Sequence, residues 1–210
     1  MKVLANDGID ALGKSMLEDA GFTVDTTKIE QDQLCEQIGD YDVIIVRSAT
    51  KVTAEVLDAG TKLKVVARAG VGLDNVDLVH AGKLDIPVVN TPSASSRSVA
   101  ELVFTHIFSL VRSTQITNRV MPSEGDSRFK ELKKMASKGT EVAGKTIGIL
   151  GFGRIGQEAA RIAIGLGMKV MVYDYKERSF DLELDLHPDY ATHNFKVSLK
   201  GHKLEDVLSE

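Results

Sequence analysis

Gly151-Phe152-Gly153-Arg154-Ile155-Gly156 follows directly on the apolar run Thr146-Ile147-Gly148-Ile149-Leu150, and this stretch decides the fold. A second apolar run, Lys169-Val170-Met171-Val172-Tyr173, comes after it and ends in Asp174. Alone, a G-x-G-x-x-G spacing means little, because glycine supplies 18 of the 210 residues. Strand, glycine turn, helix, strand and acid in that order are far more specific. Gly151 makes the tight turn, Gly153 lets the backbone approach a pyrophosphate, and Gly156 allows close packing of helix on strand. Free N–H groups at the helix start then face the phosphate charge. Asp174, 18 residues beyond Gly156, is placed to accept hydrogen bonds from the adenosine ribose. The pattern predicts an NAD site; the competing reading is a structural glycine turn beside a surface acid.

Working outward, short Val/Ile-rich runs recur at 2–5, 43–46, 64–67 and 86–89, with helical patterns between them. They show little polar alternation, as expected of strands covered on both faces of a parallel sheet. An α/β protein follows. Residues 11–19 and 34–38 predict amphipathic helices, with Gly21 and Gly39 where helices stop. Ser98-Val99-Ala100-Glu101 has capping-box spacing and predicts the start of a long helix. Its apolar stripe, Val99, Leu102, Val103, Ile107, Leu110 and Val111, runs to about Thr117. The turn-forming Asn90-Thr91-Pro92-Ser93 ahead of it sets a domain boundary, giving 1–92 and 93–210. Residues 118–141 are polar and predict a surface crossing, and 195–199 predict a weak third strand of the second domain.

A hydrophobic share of 43%, a charged share of 27% and only 4 prolines place the chain among folded proteins rather than disordered ones. The net charge of -4 and the scatter of basic residues argue against a nucleic-acid surface. No stretch approaches the ~20 apolar residues that span a bilayer, and the apolar opening is too short for a secretory signal. A cytoplasmic protein is expected. Cys35 is the one cysteine, which leaves no intrachain disulfide and no cysteine metal cluster; it is expected to pack within a helix. No metal is implied.

Four further stretches occur in order with the glycine fingerprint: Val46-Arg47-Ser48-Ala49-Thr50-Lys51-Val52, Ala67-Arg68-Ala69-Gly70-Val71-Gly72-Leu73-Asp74-Asn75-Val76-Asp77, Asn90-Thr91-Pro92 and Ser96-Arg97-Ser98-Val99-Ala100-Glu101. Together they resemble the D-2-hydroxyacid dehydrogenases along nearly the whole chain, most closely the members that act on 3-phosphoglycerate. The resemblance implies a flavodoxin-like substrate domain up to about Pro92, then an incomplete Rossmann NAD-binding domain entered through the long helix, with a cleft between the two. It implies backbone amides of Gly70 and Val71 at the substrate carboxylate, with Val71 also near the nicotinamide. Arg154 and Ile155 would meet the pyrophosphate through their amides, and Asp174 the ribose. Consecutive glycines around Val71 permit backbone conformations that aim amides at an anion, although a plain loop remains open, most of all at Gly72. Arg47 and Arg68 stand at the ends of two predicted strands, where ligands of open sheets gather. In the resembling enzymes these two positions face the substrate phosphate, and Ser48 beside Arg47 belongs to the same substrate site. One departure is Tyr175, where the family often has proline after the acid.

The implied activity is hydride transfer between NAD and a 2-hydroxy acid, most directly 3-phosphoglycerate to 3-phosphohydroxypyruvate at the head of L-serine biosynthesis, by a homodimer paired through the NAD-binding domain. Two alternatives stand beside it: a reductase for an unphosphorylated acid such as glyoxylate or hydroxypyruvate, and an NAD-sensing corepressor. The family's catalytic arginine, histidine and glutamate are expected past Glu210, since only the first half of a sheet of about six strands is legible. No catalytic residue is therefore assigned within these residues. His106 is expected as a buried, hydrogen-bonded residue on the apolar stripe, and His80 on a helix after Asp77. His187, His193 and His202 lie in a polar segment without the geometry of a catalytic base. Lys176 and Arg178 are close enough to Asp174 in sequence to weaken a preference for NAD over NADP.

Overall fold

The computed structural model describes residues 1–176, 179–184, 189 and 195–210. His187, His193 and Arg178 lie outside the described residues. The chain divides into two compact units, Met1–Ser95 and Ser96–Glu210.

In the first unit five parallel strands run in the order β2-β1-β3-β4-β5: β1 Lys2–Ala5, β2 Thr23–Asp25, β3 Val43–Val46, β4 Val65–Arg68 and β5 Val88–Asn90. Helices α1 Ala11–Asp19, α2 Leu34–Gln37, α3 Ala54–Ala59 and α4 Leu78–Lys83 connect them, with a 3₁₀ turn at Ile38–Asp40. Side chains alternate along each strand, so Leu4, Ile44, Val46 and Val66 join Leu34, Ile38, Val56, Leu57 and Ala81 in one core. Val3 and Ala5 point the other way and meet Leu17 and Phe22. That is the flavodoxin-like order, and strands covered on both faces explain the unbroken Val/Ile runs.

The edge strand β2 had no sequence signature, because Thr-Val-Asp puts one buried valine between two polar residues. Helix α1 is a weaker amphipath than expected: none of its residues is fully buried, and Leu12 and Met16 are 68% and 65% exposed. Cys35 is exposed rather than packed, since α2 is a single turn that buries only Leu34.

The second unit is built on β6 Thr146–Leu150 and β7 Lys169–Tyr173, parallel neighbours joined through α7 Arg154–Gly165. Helix α5 Ser96–Val111 packs on α7, burying Ala100 and Phe104 against Ala159, Ala160 and Ala163. It starts two residues before the expected cap, and the Glu101 carboxylate accepts from Arg97 Nε at 2.9 Å. The apolar stripe was only partly placed: Ile107 packs on the core and Val99 and Val111 are half-buried, but Leu102, Val103 and Leu110 are exposed, while Ser96, Ala100 and Phe104 form the buried line. His106 is consequently exposed, not buried, standing about 200° around the helix from Phe104.

Helix α5 gives way at Ser113, in left-handed backbone, to α6 Thr114–Ala136. Residues 118–136 are thus helical although strongly polar. Arg128 paired with Glu124 and Glu131, both at 2.7 Å, supplies the local support a polar helix needs, and Pro122 is carried within it. The expected weak strand exists as β9 Phe195–Lys200, but its main partner is an unforeseen antiparallel strand, β8 Ser179–Leu184. A parallel bridge between Val172 and Gly201 and a bond from His202 N to Val172 O at 2.8 Å tie the end of this hairpin to β7. Helix α8 Leu204–Leu208 then lies over β6, where a Cβ at Gly148 would come within 2.6 Å of Val207.

Candidate functional sites in the two units

In the order 2-1-3-4-5 the connections reverse direction between β1 and β3, and a crevice opens beyond the carboxyl ends of those strands. The first unit has two adjoining hollows there, of about 450 and 640 Å³, sharing Asp7, Gly8 and Arg47. Arg47 and Ser48, at the end of β3, are exposed at the mouth. Arg68 is paired in register with Val46, so the two arginines stand on neighbouring strand ends. Neither has a carboxylate partner among the described residues. The Arg68 Nε is buried and has no hydrogen-bond partner among the described residues. Its guanidinium lies over Gly70, and a Cβ there would overlap it.

The loop after β4 is held from behind. Asn90 Nδ2 donates to Val71 O at 2.7 Å and Thr91 N to Gly70 O at 3.1 Å. The Gly70 amide donates to Arg68 O at 2.9 Å, which leaves the Val71 amide as the one of the two without a partner among the described residues.

Sequence reasoning did not assign the groups that fix Arg47. Asp7 Oδ2 accepts from Arg47 N at 2.7 Å and from Thr50 N at 3.1 Å, and its Oδ1 accepts from Thr50 Oγ1 at 2.6 Å. From the other side, Asn75 Nδ2 donates to Arg47 O and Thr50 O at 2.8 and 2.7 Å. Asn6, buried, bonds Thr50 Oγ1 at 2.9 Å and both backbone groups of Ile29. Burial alone would raise the Asp7 carboxyl, but the hydrogen bonds from Thr50 and Arg47 outweigh it and hold the group below the usual carboxylate range. The available signal was Asn6-Asp7-Gly8, turn-forming residues placed directly after a strand.

In the second unit Gly151 has φ 94° and donates to Tyr173 O at 2.8 Å, binding the turn to the end of β7. A Cβ at Gly156 would overlap Gly151 O, whereas one at Gly153 would meet nothing within 4 Å. The outer glycines, Gly151 and Gly156, are therefore packed against each other and the middle position is open to an approaching group. Gly153 caps α7 without a side chain, and the amides of Arg154, Ile155 and Gly156 have no acceptor within the helix. Asp174 reaches back to this turn. Its Oδ2 accepts from Phe152 N at 2.7 Å and its Oδ1 from Lys176 N at 3.1 Å, and these amides hold it below the usual carboxylate range. Beside it a hollow of about 510 Å³ is lined by Tyr173, Tyr175, Lys176, Lys200, His202 and Lys203. His80 lies on α4, as expected, with Nε2 2.7 Å from Asp58 Oδ1.

The family model described as D-isomer specific 2-hydroxyacid dehydrogenase, catalytic domain, matches residues 3–200. A hydroxypyruvate reductase of Thermotoga maritima is 41% identical over 88% of this chain and 58% of its own length. A D-3-phosphoglycerate dehydrogenase of Pongo abelii is 45% identical over 82% of this chain and 32% of its own. The NAD+-bound 3-phosphoglycerate dehydrogenase of Entamoeba histolytica superposes with a TM-score of 0.65 at 33% identity, covering 83% of this chain and 54% of that one. The chain thus spans between about a third and three fifths of the curated relatives it matches.

Proposed function

The chain belongs to the D-isomer specific 2-hydroxyacid dehydrogenase family, and from that premise we propose that it binds NAD and serves the interconversion of a 2-hydroxy acid and its 2-oxo acid. The carrying observation is the glycine turn, in which Gly156 has no room for a side chain while the face at Gly153 stays open. Such a turn fits a pyrophosphate. Gly151 and Gly156 shape it, Gly153 admits the anion, and the amides of Arg154 and Ile155 donate to it. Asp174 keeps lone pairs for the ribose hydroxyls. When bound, the nicotinamide supplies the hydride acceptor or donor. The substrate anion falls to the first unit, where Arg47, Ser48, Arg68 and the loop at Gly70 and Val71 would hold it, Val71 through its amide.

Among substrates, 3-phosphoglycerate and 3-phosphohydroxypyruvate are the pair we favour, which would place the reaction at the start of L-serine biosynthesis in the cytoplasm. Two guanidinium groups on adjacent strand ends without carboxylate partners among the described residues, one with a buried N–H that has no acceptor there, suit a dianionic group. A second reading, an unphosphorylated acid such as hydroxypyruvate, is favoured by the name of the Thermotoga relative. Arg47→Met separates them. A charge-assisted hydrogen bond contributes roughly 1.5–3 kcal/mol, so in an enzyme that also carries the catalytic residues expected past Glu210 this change should lower kcat/KM for phosphohydroxypyruvate about ten- to a hundredfold and leave hydroxypyruvate much less affected. Equal losses on both substrates, or none on either, would turn the assignment to the unphosphorylated acid. We further propose pairing into a homodimer through the second unit, supported by Leu102, Val103, Phe108, Leu110 and Ile116 exposed on α5 and α6.

A further inference from the structure

The hollow beside Asp174 carries more positive charge than an unphosphorylated ribose requires. Lys176, Lys200 and Lys203 line it, with His202, against the carboxylates of Asp174 and Asp206. None of the three lysines makes an ion pair among the described residues, whereas Lys169 and Lys196 in the same unit do. Their arrival is built into the fold: the Val172–Gly201 bridge and the bond from His202 N to Val172 O hold the segment 200–203 against the carboxyl end of β7, where Asp174 sits. Both Asp174 oxygens already accept a backbone amide, so its repulsion toward a second anion is partly neutralised.

We propose that this basic hollow accepts a phosphate on the adenosine ribose, so that the protein binds 2′-phosphorylated adenine dinucleotides as well as NAD. The proposal rests on the nucleotide reading above and deepens it. An acid at the end of the second strand normally excludes a 2′-phosphate by charge, while a basic residue nearby accommodates it. Here both are present, and lysine binds phosphate well as a point charge. Lys200 and Lys203 come from a segment far in sequence from the acid, so a motif read only through Asp174 misses them.

Calorimetric titration of the purified protein with ADP-ribose and with 2′-phospho-ADP-ribose tests this without turnover. The two affinities should lie within about tenfold of each other, and in Lys200→Gln/Lys203→Gln their ratio should shift about tenfold against the phosphorylated ligand. Raising salt should weaken the phosphorylated ligand more steeply. A wild-type preference for ADP-ribose of a hundredfold or more, or a ratio unmoved by the double substitution, overturns the proposal while leaving the NAD reading intact. Failure of both ligands to bind removes the NAD reading as well.

Discussion

Gly156 and Gly153 are where a single methyl group decides the outcome. A Cβ at Gly156 would overlap a backbone oxygen, which cannot swing aside as a side chain does. Gly156→Ala should therefore cost about 1–3 kcal/mol of stability in the second unit and abolish nucleotide binding. Gly153→Ala meets no protein atom, so it should fold normally and lose only the nucleotide. Thermal denaturation with ADP-ribose titration distinguishes the two, and a Gly153→Ala variant that still binds ADP-ribose would show that the open face is not a ligand site. Asp7 gives a pH-dependent counterpart in the first unit. Its folded pKa lies below the ordinary 3.8, so its stabilisation is present above that value and is lost as pH falls through the folded one. Asp7→Ala, which orphans the amides of Arg47 and Thr50, should destabilise by roughly 1–3 kcal/mol at neutral pH. The gap from wild type should shrink below about pH 4, measured by urea unfolding; a constant gap would mean the carboxylate is not the acceptor that matters.

At the scale of elements, α5 has one face committed and one bare. Phe104, 3% exposed, is inserted toward α7, and Phe104→Ala should cost about 3–5 kcal/mol. Leu110, 76% exposed, should be silent in a monomer. In the proposed homodimer, Leu110→Glu should shift the sedimentation profile toward monomer without loss of helicity. An unchanged profile would move the pairing surface elsewhere. The same helix shows why some elements were legible in sequence and others were not. Strands β1, β3, β6 and β7 matched expectation to the residue because each is a short, nearly unbroken apolar run without polar alternation. In α5 apolar residues stand on several faces, so periodicity could not tell the buried line of Ser96, Ala100 and Phe104 from the exposed one. Small residues that allow close approach carry no hydrophobic signal. The hairpin of β8 and β9 was half hidden for a different reason: Ser-Phe-Asp-Leu-Glu-Leu alternates and belongs to a sheet open on one face, not to the parallel core. Of the site, the glycine turn and Asp174 could be found from spacing alone. The groups holding Arg47 could not, since Asp7 and Asn75 lie 40 and 28 residues away and act through backbone atoms.

For the molecule as a whole, two units with separate cores divide the expected work. A ligand taken up at the glycine turn stabilises what it touches, by about 2.7 kcal/mol at a hundredfold excess over Kd. With ADP-ribose, added protection in hydrogen exchange should concentrate in β6, the start of α7 and the end of β7, and leave β1–β5 unchanged. Protection spread evenly over both units would point to a different mode of binding. Net charge follows the same division: the chain is acidic at -4, yet the hollow beside Asp174 is locally basic.

That hollow also gives the protein an optical property of its own. The chain has no tryptophan and four tyrosines, so its ultraviolet emission is tyrosine emission. Tyr41 donates its hydroxyl to Asp25 at 2.7 Å, and a carboxylate so close should accept the excited phenol's proton and dim that ring. Tyr175 is 79% exposed at the rim of the hollow, with Tyr173 on its wall. An adenine seated there would lie against the brighter chromophores, so occupancy of the nucleotide site should be readable as dimming of the native fluorescence, with no label attached.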